Sequence, residues 1–452
     1  MGRLFGTNGV RGVVNKDFTL ELVNGIAASA GSILGRDIAI GMDGRLTSPM
    51  VRDVAVSALL SIGCNVHDMG LLPTPTLQYM VKVLGMDGGL MITASHNPPE
   101  FNGLKVMAND GVEVSRDTET QIEDLHFKGG PKPVNWDKVG TVTHHDVIES
   151  YLDALTKHVD KDKIKKSGLT IALDLGNGVS TLTAPILASR LGCNVYTLNT
   201  EIDGRFPGRG SEPRVDNLNG LKDLINASHA DIGIGFDGDG DRSLIMNEKG
   251  GCVWGDMSLG LVAREFLQSN PGETLVTPVS SSRLLEEVVS EGGGNIHWTR
   301  VGSVDVSRIM VEKAYLLGGE ENGGIMYGPH HPVRDGTMTM ALILNIIARH
   351  GKPLSELILE LPQYPKIKVG VWCPNHLKQS VLESIRVKAV APKVDTTDGL
   401  KLFFPDDSWI LVRPSGTEPK YRLYAEAQTE KRVNELVDEF KELITNEIES
   451  MS

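Results

Sequence analysis

The stretch Thr93-Ala94-Ser95-His96-Asn97-Pro98-Pro99-Glu100-Phe101-Asn102-Gly103, with Lys105 just beyond it, follows the apolar run Gly88-Gly89-Leu90-Met91-Ile92. A short apolar run bounded by turn formers reads as a buried strand. The polar cluster then occupies a loop at the strand's carboxyl end, where open α/β sheets place their ligands. Pro98 and Pro99 stop the chain from continuing as helix or strand, which predicts that Ser95 and His96 are held in a fixed, exposed turn. A serine so presented can be a nucleophile or a phosphate carrier. Taken alone, the stretch reads equally well as a plain strand-to-loop cap, since Ser, His and Asn are common turn residues.

Outward from this loop the chain alternates strand and helix. On the amino-terminal side stand the punctuation Pro73-Thr74-Pro75, a strand beginning Asn65-Val66-His67, and an apolar helical pattern at Val51, Val54, Ala55, Leu59 and Ile62. Before these come the strand Ile38-Ala39-Ile40 and a helix marked by Leu22, Val23, Ile26, Ala30 and Ile33. Such alternation implies a mostly parallel sheet. The glycine-punctuated opening Phe5-Gly6-Thr7-Asn8-Gly9-Val10-Arg11-Gly12 reads either as an anion-binding loop of backbone N–H groups plus Arg11, or as a simple N-terminal turn.

On the carboxyl side the order repeats. Ile171-Ala172-Leu173-Asp174 echoes Ile38-Ala39-Ile40, and Leu191-Gly192-Cys193-Asn194-Val195 echoes Ile62-Gly63-Cys64-Asn65-Val66. The repeat's strand Asp231 to Phe236 leads into Asp237-Gly238-Asp239-Gly240-Asp241-Arg242. A third unit begins near Gly272 and leads through the strand Tyr315-Leu316-Leu317 to the loop Gly318-Gly319-Glu320-Glu321-Asn322-Gly323-Gly324. Leu361-Pro362-Gln363-Tyr364-Pro365 marks a boundary, and a smaller α+β unit follows. Its strands Ser408–Val412 and Tyr421–Ala425 flank Arg413-Pro414-Ser415-Gly416-Thr417-Glu418-Pro419. Arg413, Ser415, Gly416 and Thr417 offer a fork donor, two hydroxyls and backbone N–H groups, which suit a phosphate dianion. The expected division is 1-150, 151-250, 251-365 and 366-452.

Composition bounds the function. At 452 residues the chain exceeds one core, and 40% hydrophobic with 23% charged residues is globular composition. No apolar run is long enough to span a bilayer and the opening residues are not a signal peptide, so a cytoplasmic protein is expected. A formal charge of −13 disfavours nucleic acid and anionic membrane, so any bound phosphate must be gripped by local Arg and Lys. Cys64, Cys193, Cys252 and Cys373 lack short paired spacing, which argues against zinc or disulfides. No oligomeric state is implied.

Asp237, Asp239 and Asp241 alternate with glycines, so three carboxylates can turn to one point, where they would repel one another without a cation. Hard oxygen ligands in that number suit Mg²⁺. A calcium loop is the rival, since D-x-D-x-D opens an EF-hand and Glu248 falls at its twelfth position; but Arg242 stands where that turn needs glycine, and the flanks read as strands. A serine, a magnesium site and a separate phosphate cradle imply phosphoryl transfer. With no Walker A sequence or kinase glycine loop, a nucleotide donor is unsupported.

Together the motifs Phe5–Gly12, Thr93–Gly103, Asp237–Arg242, Gly319–Gly323 and Arg413–Pro419 closely resemble the α-D-phosphohexomutase superfamily, across the whole chain and in order. The resemblance implies α/β architecture: three related mixed α/β domains and a C-terminal α+β domain around a central cleft, one loop from each. It implies Ser95 as phosphoserine, with Asp237, Asp239 and Asp241 holding Mg²⁺ beside it and Ser95 sharing the metal. Glu320 and Asn322 would read sugar hydroxyls, and Arg413, Ser415, Gly416 and Thr417 would clamp the non-reacting phosphate. Arg11, His96, Lys105 and Arg242 would surround the transferring phosphoryl group, with His96 and Lys105 as proton-transfer candidates. The implied reaction interconverts hexose 1-phosphate and 6-phosphate through a 1,6-bisphosphate that turns over in the cleft and serves as activator. Asn322 and Gly324 depart from the common bacterial pattern of Ser and His. The sugar loop looks like archaeal members and the opening resembles phosphoglucosamine mutases, so glucosamine phosphate is the expected substrate, with phosphomannomutase/phosphoglucomutase as the alternative. A magnesium-dependent sugar phosphatase and a non-catalytic sugar-phosphate-binding protein are the remaining readings.

Overall fold

The computed structural model describes residues 4–416 and 418–451. Its first three units share one strand plan. In each, a central strand is flanked on both sides by parallel neighbours, and one neighbour doubles back as an antiparallel hairpin. In the first unit the central strand is Asp37–Met42, parallel to Asn65–Leu71 and Gly88–Ile92, with Gly88–Ile92 antiparallel to Phe101–Ala108. In the second, Thr170–Asp174 is parallel to Asn194–Leu198 and Ile232–Phe236, and Ile232–Phe236 pairs antiparallel with Ser243–Asn247. In the third, Thr274–Pro278 is parallel to Asn295–Thr299 and Leu317–Gly319, which pairs antiparallel with Ile325–Tyr327. The Ser95 loop, the aspartate loop and the Glu320 loop are therefore the three hairpin turns. The mostly parallel sheets expected from strand–helix alternation are mixed, because each polar loop returns directly into an antiparallel partner instead of a helix.

Two further boundaries differ from the sequence reading. Arg11 lies on a strand, Val10–Val13, paired antiparallel with Phe101–Ala108 so that Arg11 faces Gly103. In the third unit Ala314 adopts φ 55 as the left-handed end of helix Ser303–Lys313. The chain leaves that cap only across Tyr315 and Leu316, and strand pairing begins at Leu317. The fourth unit is an antiparallel sheet in the order Lys366–Trp372, Lys420–Glu426, Trp409–Pro414, Leu400–Phe403, Lys393–Asp395, covered by helices Lys378–Lys388 and Glu430–Met451.

Helix Gly336–His350 follows the third hairpin yet packs into a core shared by the second and third units. Asp335 caps its start, accepting from the Met338 N–H at 2.9 Å, and left-handed Gly351 ends it. Just before this helix, His330 and His331 are buried where the first three units meet. The His330 ring stacks on Tyr79 at 4.4 Å between centroids and lies 5.8 Å from Tyr151 and 5.4 Å from His158. Neither ring nitrogen of His330 has a hydrogen-bond partner. Burial, reinforced by His331, pulls His330 down to about 3, and burial with Lys82 pulls His331 down to about 4. A folded-state pKa below the unfolded value means the unfolded chain binds more protons over that window, so stability falls as pH drops from about 6.5 toward 3. His330→Phe keeps the stacked ring and removes the titration. Thermal unfolding should show the variant gaining on the unmodified protein by about 1.4 kcal/mol for each pH unit below about 6.5. A difference in stability that stays constant from pH 7 to pH 5 would show that His330 takes up its proton without unfolding.

Candidate active site

Ser95 is fully buried, not exposed as the two prolines suggested. The loop is fixed as expected, but the second unit covers it. Gly238 lies so near that a Cβ there would stand 2.8 Å from the Ser95 carbonyl oxygen, and the Ser211 hydroxyl donates to the Asn97 carbonyl at 2.8 Å. Ser95 adopts φ 50, a left-handed conformation that a non-glycine residue keeps only where its surroundings impose it. Arg45 imposes it. This buried guanidinium donates to the carbonyl oxygens of Ser95 (2.7 Å), Asn97 (2.7 Å), Pro98 (2.7 Å) and Phe101 (3.0 Å), and pairs with Asp43 at 3.1 Å. The Thr93 hydroxyl joins the two halves, donating to Asp43 at 2.7 Å and accepting from the Ser95 N–H at 2.8 Å. Arg45→Met would leave Asp43 as an uncompensated buried charge. The expected loss is about 3–5 kcal/mol of stability, checked by denaturant unfolding; an unmoved midpoint would mean that other contacts hold the loop.

The Ser95 hydroxyl donates to Asp237 Oδ2 at 3.0 Å and lies 3.3 Å from His96 Nδ1. Arg11 approaches from its strand, donating to the Ala94 carbonyl at 3.1 Å and Asn97 Oδ1 at 3.0 Å. Lys105, completely buried on strand Phe101–Ala108, donates to Asp239 at 2.7 Å and Asp241 at 2.9 Å. Burial pulls the Lys105 ammonium down, but the two carboxylates outweigh it and the net shift is upward. His96 is driven well below its ordinary value by burial and by Arg242 and Arg11.

The three aspartates are buried and converge, with one oxygen from each lying within 4.8 Å of the others. Burial, then Asp241 and Asp239, push the Asp237 carboxyl well up. Asp239 Oδ1 and Asp241 Oδ1 are buried without a hydrogen-bond partner. Orphaned carboxylate oxygens beside like charges fit a hard divalent cation, and the donor set of three carboxylates plus a serine oxygen suits Mg²⁺. The calcium-loop alternative loses its last ligand, because Glu248 accepts from the Ser355 N–H and hydroxyl. Arg242 places its Nε 3.7 Å from Asp241 Oδ1.

A cleft of about 730 Å³ is bordered by Arg242, the residue that follows the aspartate triplet. Arg242 and Leu244 from the second unit, Trp254 and Asn322 from the third, and Lys368 and Tyr424 from the fourth line it. Glu320 is joined to the aspartates by Arg334, which donates to Glu320 at 3.0 Å and to Asp241 at 2.6 Å. Asn322 Oδ1 accepts from the Gly324 N–H at 3.1 Å.

Family models for phosphoglucomutase/phosphomannomutase match the chain in order: alpha/beta/alpha domain I over residues 2–132, domain II over 149–251, domain III over 254–364, and the C-terminal domain over 375–443. A phosphoglucomutase/phosphomannomutase of Thermococcus kodakarensis is 39% identical over 445 residues, which cover 97% of each chain. The chain belongs to the phosphoglucomutase/phosphomannomutase family. A phosphoglucosamine/phosphogalactosamine mutase of Sulfurisphaera tokodaii is 40% identical, with 98% of this chain and 99% of its own aligned. The solved structure of a phosphoglucomutase/phosphomannomutase family protein from Burkholderia thailandensis superposes with a TM-score of 0.88 at 28% identity, covering 98% of this chain and 97% of its own. This phosphohexomutase is thus an isomerase built on the family's four-domain fold.

In the enzyme's structure the turn expected to hold a phosphate lies on the fourth domain, at the end of strand Trp409–Pro414. Arg413 Nε donates to Asp398 at 2.6 Å, and the same carboxylate oxygen accepts from the Val301 N–H at 3.0 Å, tying the cradle to the third domain. The Ser415 hydroxyl accepts from the Glu418 N–H at 3.2 Å, while Lys378 donates to the Ser415 carbonyl at 2.6 Å. Gly416 lies in the same turn, and Thr417 falls outside the described residues. Neither Arg413 nor Ser415 lines the cleft. Sequence reading missed Arg45, Arg334 and Trp254. Arg45 carried a signal, since it follows strand Asp37–Met42 at its carboxyl end. Arg334 carried a weaker one, immediately before the Asp335 helix cap.

Proposed function

We propose that this phosphohexomutase interconverts hexose 1-phosphate and hexose 6-phosphate through phospho-Ser95 and a 1,6-bisphosphate intermediate, with glucosamine phosphate as preferred substrate. The observation that carries the reading is Ser95 Oγ set against Asp237, beside two unpartnered oxygens of Asp239 and Asp241. In the first transfer the P–O bond to Ser95 breaks and a P–O bond to the free sugar hydroxyl forms; after the bisphosphate turns, the second phosphate returns to Ser95. Each transfer needs a proton removed from the attacking hydroxyl and one delivered to the departing oxygen. His96, in contact with Ser95 Oγ, is assigned that exchange at the serine. Lys105 is the alternative and would first have to leave its two carboxylates. Arg11 and Arg242 are assigned to the charge of the transferring group.

Asp237, Asp239, Asp241 and the Ser95 oxygen would hold Mg²⁺, which supplies Lewis-acid neutralisation of phosphoryl charge. Glu320 and Asn322 are assigned to the sugar hydroxyls, and Arg413, Ser415, Gly416 and Thr417 to the non-reacting phosphate. The working division 1-150, 151-250, 251-365 and 366-452 gives each domain one of these loops. Among the described residues no helix is long and apolar enough to cross a membrane and all four cysteines are free thiols; a cytoplasmic location is part of the proposed reading.

Relatives of nearly equal likeness bear glucosamine/galactosamine and glucose/mannose names, so the deciding experiment is a product assay on glucosamine, mannose and glucose phosphates side by side, with trace 1,6-bisphosphate and no ATP. Faster isomerisation of glucosamine phosphate is expected. Preference for mannose or glucose phosphate would favour the alternative, while inorganic phosphate released in step with turnover would replace the mutase by a phosphatase.

A further inference from the structure

Arg334 sits where the aspartate loop and the sugar loop approach each other, and it is nearly fully buried. Its two terminal nitrogens address carboxylates of different domains, Nη2 to Asp241 and Nη1 to Glu320. The backbone around it is stitched to both loops. Arg334 bridges Met326 in the third hairpin, Asp335 N–H donates to Ile325 at 3.2 Å, and Gly336 N–H donates to the carbonyl of Gly240 between the metal-binding aspartates at 3.1 Å. Asp335 in turn accepts from Tyr151 at 2.6 Å while capping helix Gly336–His350, so the segment cannot slide without breaking that cap.

Gly324 completes the arrangement. A Cβ on Gly324 would stand 2.4 Å from Arg334 Cδ and 2.8 Å from Cγ. The arginine stem thus fills the space that a side chain at position 324 would take, and the two exclude each other. Gly324 φ is not positive, so backbone conformation does not by itself require glycine here.

We propose that Arg334 is a positioning residue that fixes the Glu320 carboxylate in register with the aspartate loop, and that position 324 is glycine to admit it. The proposal rests on the mutase reading for what Glu320 does and on geometry alone for the pairing. A planar guanidinium offers two separate terminal nitrogens that can reach carboxylates on different domains, whereas an ammonium is one compact point on a shorter stem. In a reaction that presents the sugar ring in two orientations, Glu320 must keep one place relative to the phosphoryl-transfer centre. Arg334 supplies that constraint from outside the substrate.

Two cycles test it. In the first, Arg334→Met, Arg334→Lys and Glu320→Gln are made singly, and Arg334→Met is combined with Glu320→Gln. Each single change should lower kcat/KM by about 10- to 100-fold, the scale for groups that orient a directly acting residue, while intact mass shows Ser95 still phosphorylated by 1,6-bisphosphate. The double variant should be no worse than the weaker single one, because Arg334 acts through Glu320. Losses that multiply, or Arg334→Lys with unchanged kcat/KM, would overturn the positioning role. The second cycle reads melting temperature and needs no activity. Gly324→Ala should lower Tm in the unmodified background and leave it unchanged in an Arg334→Ala background, which removes the Cγ and Cδ that a side chain at 324 would meet. An equal drop in both would overturn the exclusion. If the unmodified enzyme isomerises no sugar phosphate, the mutase reading fails on that control while the melting cycle still decides the pairing.

Discussion

Ser95→Ala is expected to lower turnover by about 10³-fold or more, the scale on which covalent nucleophiles are missed. No neighbouring hydroxyl can substitute: Ser95 Oγ alone in this loop reaches both Asp237 Oδ2 and His96 Nδ1. Affinity for the sugar monophosphate should change little, because the groups assigned to sugar and distal phosphate lie on the third and fourth domains. Intact-mass measurement should find a species heavier by one phosphoryl group in the unmodified protein and none in the variant. Dephosphorylated enzyme should be inert toward monophosphate and recover with trace hexose 1,6-bisphosphate, because the aspartate centre stabilises charge but carries no phosphoryl group of its own. Normal turnover in the variant, or recovery that requires a nucleotide, would remove Ser95 as the carrier.

Chelation should silence the unmodified enzyme, and Asp239→Asn should lower activity by about 10²- to 10³-fold, as for loss of one preorganised electrostatic group. Asp239 is the informative position. Its Oδ2 already accepts from Lys105 and from the Thr74 hydroxyl at 2.5 Å, leaving Oδ1 buried and unpartnered. An amide of the same shape removes one charge from three crowded carboxylates and therefore weakens the demand for a cation. Binding of Mg²⁺ to the folded state should raise the melting temperature of the unmodified protein, and less so in the variant. Full activity in excess chelator, or a melting temperature indifferent to Mg²⁺, would refute the metal assignment.

The sequence determined the local pieces because their causes are local. A glycine-spaced aspartate triplet, a serine after a buried apolar strand and an arginine-serine-glycine turn declare their chemistry by residue type and spacing. The repeated Gly-Cys-Asn-Val run exposed the related first and second domains, which share one strand plan in the structure. The same local signals misjudged exposure. Pro98 and Pro99 fix the turn and are themselves exposed, but whether Ser95 meets solvent depends on residues more than a hundred positions away that close over it.

Only the tertiary structure could decide how the loops are tied together. Arg45 gathers four carbonyl oxygens onto the Ser95 loop from fifty residues upstream, and Arg334 spans two domains to join Asp241 with Glu320. Position after a strand hinted at Arg45, but a buried arginine is tolerated only where carboxylates and carbonyls converge on it, and for the carbonyls of the Ser95 loop and for Glu320 that convergence exists only once the chain has folded. The fourth domain shows the same division. Arg413 and Ser415 suggested a phosphate cradle by their residue types, whereas the way their domain docks on the third is set by Lys366 and Lys368 pairing with Asp256 and Glu321 and by Asp398 accepting from the Val301 N–H.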